Sequence, residues 1–203
     1  MFDTFRTRAE AVSAEVHRVG GAAEALHFVE ELLWLEGAAD APGLRAVWAA
    51  GPLVSRSVAS ALSSRVPGLT FDVTREAATE SRVGVSEMEW GLADTGTVVQ
   101  DATDPALRLV STLPEIHVAL LPASRILPGL ADVVPKLDPG RVPYISFITG
   151  PSRTADIERV LTIGVHGPSR LVVVVHDGDG ANAEVKTEVK TEVKANVEAK
   201  VTP

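Results

Sequence analysis

Residues 149–158, TGPSRTADIE, bring together a glycine, a proline, three hydroxyl side chains and an arginine. The stretch follows an apolar run and leads into a helical pattern, ADIERVL (155–161). A helix start exposes unpaired backbone N–H groups and carries partial positive charge, so a small anion can sit there. Arg153 would add a planar fork that matches a carboxylate or phosphate. Ser152 and Thr154 would offer hydroxyls, and Gly150 would let the backbone come close. The same residues also make an ordinary helix start, with Thr154 as cap and Asp156 and Glu158 complementing the dipole. On the residues alone both readings stand.

Other positions could carry chemistry. His166 lies in GVHGP (164–168), a loop that presents a side chain able to titrate near neutrality. The plain alternative is an exposed histidine in a tight turn. ADTGT (93–97) holds Asp94, Thr95, Gly96 and Thr97. Asp-Thr-Gly is the triplet of aspartic proteases, but a single copy in an α/β pattern lacks the second carboxylate that chemistry needs. Glu87 and Glu89 share one face if 83–89 is a strand, which suits acid–base work; solvated charges are the plain alternative. His117 falls on an apolar strand, as a core or pocket histidine. No two histidines have metal-ligand spacing, so no metal is expected. GDGANA (178–183) matches a dinucleotide fingerprint, yet only a repeat tail follows it. The second strand and the acid of such a unit have no place there.

The elements that must position these residues are legible from periodicity. Phe5, Ala9, Val12, Val16 and Val19 mark one helical stripe, so a single helix is expected over 3–19. Further helices are expected at 22–36, 54–66, 126–137 and 155–161. Strands are expected at 46–50, 69–73, 83–89, 96–100, 115–121, 144–149 and 171–175. Those at 115–121, 144–149 and 171–175 are nearly all apolar, as in a parallel sheet covered on both faces. The expected class is therefore α/β, three layers (α/β/α) around a mostly parallel sheet. Ligands in such folds bind beyond the carboxyl ends of the strands. Residues 1–177 read as one domain, with the first helix peripheral. Residues 178–203 read as a tail containing EVKTEVKTEVK, a solvated low-complexity segment or, less simply, a docking strand.

Bulk properties narrow the function. The 203 residues carry a formal net charge of −8 and no Lys/Arg cluster, which argues against nucleic-acid binding. There is no cysteine, so the chain holds no disulfide and no cysteine-ligated iron–sulfur cluster. No apolar run approaches a membrane span, and the N-terminus lacks the apolar core of a signal peptide. A cytoplasmic protein is expected.

ISFITGPSRTADIERVLTIGVHGPSRLVVVV (145–175) resembles the closing block of the LutC/YkgG family, the LUD domain of lactate utilization proteins. GLADTGTVVQ (91–100) and LVSTLPEIHVALLPASRILPGLADVV (109–134) resemble its middle segments. The resemblance runs from about 20 to 176. It implies a NagB/RpiA/CoA-transferase-like fold and a role in oxidising L-lactate to pyruvate. It further implies that this chain binds no cofactor itself and works with iron–sulfur partner subunits. Asp94, Thr95, Gly96, Thr97, His117, Gly150, Ser152, Arg153, Thr154 and His166 match the family motifs and are expected to converge on one pocket. On that reading Arg153 and the 152–155 amides hold a small carboxylate or phosphate. His166 or His117 takes the hydroxyl proton, and electrons leave through the partners. Two other functions fit the residues: an independent enzyme acting on a CoA ester or phosphorylated small molecule, with Glu87 or Glu89 as its covalent carboxylate, or a non-catalytic anion sensor.

Overall fold

The computed structural model describes residues 1–138, 140–155, 161–163 and 166–178. The chain runs α1 (Phe2–Ala11), β1 (Glu15–Val19), α2 (Ala22–Leu35), β2 (Arg45–Trp48), α3 (Arg56–Arg65), β3 (Leu69–Thr70), α4 (Arg75–Thr79) and β4 (Ser81–Glu87). There follow β5 (Trp90–Leu92), β6 (Thr97–Asp101), α5 (Pro105–Thr112), β7 (Ile116–Pro122), β8 (Ile126–Leu127) and α6 (Leu130–Val133). The remaining elements are β9 (Ile145–Ile148), β10 (Arg153–Ala155), β11 (Leu161–Ile163) and β12 (Arg170–His176). Three side-chain caps start helices as their sequences suggest. Ser55 Oγ accepts from Val58 N at 3.3 Å, Thr74 Oγ1 from Ala77 N at 3.1 Å, and Asp104 Oδ1 from Ala106 N at 2.8 Å. Each such cap is worth about 1 kcal/mol.

Six strands form one all-parallel sheet in the order β1-β12-β7-β4-β2-β3. Alternate residues of these strands feed opposite cores. Ile116, Val118, Leu120, Val172 and Val174 meet Leu26, Val29 and Leu33 of α2 and Leu62 of α3. Ala119, Leu121, Val173 and Val175 meet Phe5 and Ala9 of α1, together with Val98 of β6. Val47 and Ala49 meet Ala78 of α4 and Val110 of α5. Burial on both faces explains why β7 and β12 read as unbroken apolar runs. Each fully buried valine or leucine contributes roughly 1.5–3 kcal/mol.

The second sheet is small and mixed, in the order β8-β5-β6-β9. It corrects one expectation. The apolar 144–149 stretch is not a core strand of the parallel sheet. β9 pairs antiparallel with β6 at the edge of the small sheet, and Phe147 is 46% exposed. Apolar composition alone does not separate a core strand from an edge strand with one open face.

Three expected helices also differ. The stripe over 3–19 is a helix only to Ala11. Ser13 then turns the chain with φ 69°, and Glu15–Val19 becomes the edge strand beside β12. Val16 is buried in either conformation, so spacing could not tell them apart. The 126–137 helix is interrupted because Pro128 and Gly129 sit inside it. Ile126 and Leu127 join β5 as β8, and only Leu130–Val133 is α-helical. At 155–161 the chain enters and leaves as strand, with Arg153 opposite Ile163, Thr154 opposite Thr162 and Ala155 opposite Leu161. Residues 156–160 of that expected helix, and the tail from 179 onward, lie outside the described residues. Where the helix start that was to hold an anion was expected, Arg153–Ala155 is a strand paired antiparallel with Leu161–Ile163.

Candidate functional site

After β2 the chain moves outward through α3 to β3; after β4 it moves inward through the small sheet and α5 to β7. The carboxyl ends of β2 and β4 are therefore neighbours whose connections leave in opposite directions. This is the switch point at which open α/β sheets bind ligands. Three charged side chains gather there. Glu87 ends β4, Glu89 lies in the turn to β5, and Arg125 lies in the exposed turn after β7.

Glu87 Oε1 accepts the Leu53 N–H at 2.9 Å. Burial raises its pKa above the usual carboxylate value, opposed by the Leu53 amide, by the charge of Arg125 and by the Gly51 amide. Glu89 Oε2 accepts the Asp101 N–H at 2.5 Å. Burial pushes its pKa up to about 7, opposed by that amide and by Arg125 and reinforced by the Asp101 carboxylate. A half-buried carboxyl titrating near neutrality can both take and return a proton, which is the requirement for general acid–base work. Arg125 supplies the fork that matches a small carboxylate.

A buried polar chain stands behind these glutamates. Gln100 Nε2 donates to Ser86 Oγ at 2.9 Å and to the Glu87 carbonyl at 3.4 Å. Ser86 Oγ and His117 Nε2 share a hydrogen bond of 2.9 Å, its direction set by the imidazole tautomer. The imidazole is 1% exposed, and burial lowers its pKa to about 4, so it is neutral.

The residues picked out by sequence fall in three places. Asp94, Thr95, Gly96 and Thr97 form the β5–β6 turn, and Gly150, Ser152 and Arg153 follow β9; the two segments meet at the end of α1. Thr97 Oγ1 lies 2.8 Å from both Thr95 Oγ1 and Thr149 Oγ1. Gly96 has φ 69°, and a Cβ there would fall 2.2 Å from the Ala9 nitrogen. Gly150 has φ 74°, and its Cβ would fall 2.3 Å from the Val12 carbonyl oxygen. Both glycines are needed for that approach. Arg153 donates to the Val12 carbonyl and, at 3.0 Å, to Ser13 Oγ, capping the chain as it leaves α1. Thr154 is a hairpin residue. His117 is the second place, in the interior.

The third place adjoins the first through Ser152 and lies at the amino end of the parallel sheet, where α1 hands over to β1. His166 is exposed in an open cleft of about 620 Å³ beside Arg82, Thr112 and Glu115. Gly167 approaches Ser152, whose N–H donates to the Pro168 carbonyl at 2.9 Å. Around this end runs a series of ion pairs. Arg170 meets Glu15 at 2.8 Å and Glu36 at 2.6 Å; Arg82 meets Glu36 at 3.0 Å and Glu115 at 3.7 Å.

Sequence reasoning had noted Glu87 and Glu89 but missed Arg125, Gln100, Ser86 and the loop around Gly51. The visible signal was a Gly-Pro following a strand and preceding a helix cap, AAGPLVS (49–55). Among the described residues no cluster of His, Asp or Glu could hold a metal, and no helix is long and apolar enough to cross a membrane.

A six-stranded parallel sheet with helices on both faces, joined by a small mixed sheet, defines an α/β domain. The model of one family, the LUD domain, matches residues 2–176, and the chain belongs to that family. Lactate utilization protein C of Anoxybacillus flavithermus is 40% identical over 111 residues, which is 52% of this chain and 50% of that protein. The protein of the same name from Exiguobacterium is 36% identical over 113 residues, 52% of this chain and 49% of the relative. Uncharacterized protein YkgG of Escherichia coli is 39% identical over 104 residues, 48% of this chain and 45% of the relative. Each match spans about half the length of the relative. A crystal structure of a DUF162 family protein from Deinococcus radiodurans shares the fold, with a TM-score of 0.61 at 18% identity, covering 86% of this chain and 95% of that one.

Proposed function

We propose that this chain is the cluster-free subunit of an iron–sulfur L-lactate utilization system and handles the substrate. Family membership and relatives named for lactate utilization support the system. The absence of cysteine suits a subunit whose electrons leave through partner clusters. On this reading the fold is NagB/RpiA/CoA-transferase-like, residues 1–177 are the working domain, and the protein acts in the cytoplasm.

The observation that carries the site is Glu89, a carboxyl titrating at about 7 within the field of Arg125 at the strand ends. Arg125 holds the substrate carboxylate. Glu89 accepts the 2-hydroxyl proton, while the C2 hydrogen and the two electrons pass to the redox centres of the partner subunits, so that lactate becomes pyruvate. His117 keeps the glutamate-bearing turn in register through Ser86 and Gln100. The 94–97 and 150–153 segments hold α1 and the small sheet onto the main sheet.

The test is growth on L-lactate as sole carbon source after deletion of the gene in its host. Complementation would use the natural chain, Arg125→Ala and Glu89→Gln, with accumulation of each protein checked. The reading expects growth from the natural chain and none from either variant. Rescue by both variants overturns the site. Unimpaired growth of the deletion strain, in a host with no second lactate route, overturns the function.

A further inference from the structure

The loop at 51–53 already holds a carboxylate. Glu87 Oε1 sits 2.9 Å from the Leu53 nitrogen. Gly51 makes room for it, since a Cβ at that position would lie 2.6 Å from Oε1 and 2.7 Å from Cδ. The loop has supports other than Glu87. Leu53 and Val54 are 3% and 7% exposed and belong to the α2–α3 core. Ala49 N donates to the Val85 carbonyl at 3.0 Å, and Val54 N to the Gly51 carbonyl at 3.1 Å. The amide donor is thus fixed by packing on one side and by the sheet on the other. It is a pre-organised donor at the switch point, where a ligand would arrive.

Glu87 is an imperfect occupant. It is half-buried, and burial works against its charge, while the exposed Arg125 reaches it only through its field. A free carboxylate is not tethered to β4. It can accept from the loop within the field of Arg125, whose charge already favours a carboxylate at this position.

We infer that the 51–53 loop is a carboxylate-binding subsite, occupied in the resting protein by the side chain of Glu87 and opened to a small-molecule carboxylate when Glu87 leaves. This rests on placing the substrate at the carboxyl end of the sheet. It adds where the substrate's charge goes and which group must move first. The plain alternative is that Glu87 is a permanent staple of the loop.

The test is amide NMR on the full ¹⁵N-labelled chain, titrated with acetate against chloride at equal ionic strength. In Glu87→Ala the Leu53 and Gly51 resonances should move on loss of the carboxylate and return, saturably, as acetate is added. The natural chain should need on the order of tenfold more acetate, because its own carboxylate competes. A folded Glu87→Ala protein whose Leu53 and Gly51 amides ignore acetate overturns the subsite. If Glu87→Ala does not fold, Glu87→Gln serves. Its neutral oxygen is the weaker occupant, so acetate should act at lower concentration than on the natural chain; no response overturns the subsite equally. L-lactate forms a separate arm. A response to acetate but not to L-lactate upholds the subsite and tells against lactate as its ligand, so the two ideas fail separately.

Discussion

At the amino end of the six-stranded sheet every arginine in the ion-pair series lies between carboxylates: Arg170 between Glu15 and Glu36, Arg82 between Glu36 and Glu115. At the carboxyl end Glu87 and Glu89 share the field of one exposed guanidinium, and burial holds both carboxyls above their ordinary range. The first end has its charges paired and Arg170 kept protonated by its hydrogen bonds to Glu15 and Glu36. At the second end the Glu89 carboxyl is pushed up to about 7, and that of Glu87 is raised. Paired charge holds β1, β12, β4 and α2 together; under-compensated charge is a cost to folding, and it falls where the proposed ligand site lies.

The largest effect expected from breaking this contrast is at the paired end. Arg170→Ala leaves Glu15 and Glu36 with no cation between them. It should lower the unfolding free energy by about 2 kcal/mol, a value already reduced for the partial exposure of the group. Urea denaturation at low and high salt checks it, and a loss that does not shrink with salt would mean that packing, not charge, was removed.

Next in size is the effect of Glu89. Its pKa is raised, from 4.5 to about 7, so between those values the native state holds the extra proton and stability falls as pH rises. Glu89→Gln removes that cost and should stabilise the protein at pH 8 by roughly 1–2 kcal/mol. Unfolding at pH 5 and 8 measures it; equal stability of variant and natural chain at pH 8 would show that the carboxyl is not held neutral by the fold.

A subtler effect concerns the shape of the pH profile. His117 is lowered from 6.5 to about 4, so over that range the unfolded state holds the extra proton and stability rises with pH. The two slopes oppose one another where their windows overlap. The natural chain should show a nearly flat contribution from this pair, and Glu89→Gln should uncover a rising limb between those values. A variant profile as flat as the parent's would remove His117 from the account. The smallest change in stability is expected for Arg125→Ala, within about 0.5 kcal/mol, because the side chain is exposed. That protein should melt as the parent does while failing to support growth on lactate.

How much of this was legible in the residues differs by region. β7 and β12 announce themselves because both faces are buried, and α2 and α3 follow their apolar spacing, whereas the short α4 and α5 were not anticipated. The α/β class and the parallel sheet were therefore readable. The edges were not. Glu15–Val19 has the same buried valine in a helix as in a strand, and it becomes a strand because β12 offers an open edge. Ile145–Ile148 looks like core but lies on a half-open sheet. At the site, TGPSR drew attention because its residue types suit an anion. In the fold Gly150 and Arg153 are spent on the end of α1. Arg125 and the Leu53 amide were invisible for the opposite reason: each is an ordinary residue, and only the crossing of distant strands brings it beside a glutamate.

The position of β12 in the sheet has a consequence for how the molecule is made. The first strand of the chain pairs with the last described one, and Arg170 reaches Glu15 across 155 residues of sequence. During synthesis from the N-terminus, β1 has no partner and β7 an open edge until the segment at 170–176 leaves the ribosome. Slow, long-range closure of this kind exposes unpaired apolar strands for the whole time of translation. A chain halted before Arg170 would lose the centre of its sheet, so the sheet is closed by insertion of its last described strand between two that have been waiting.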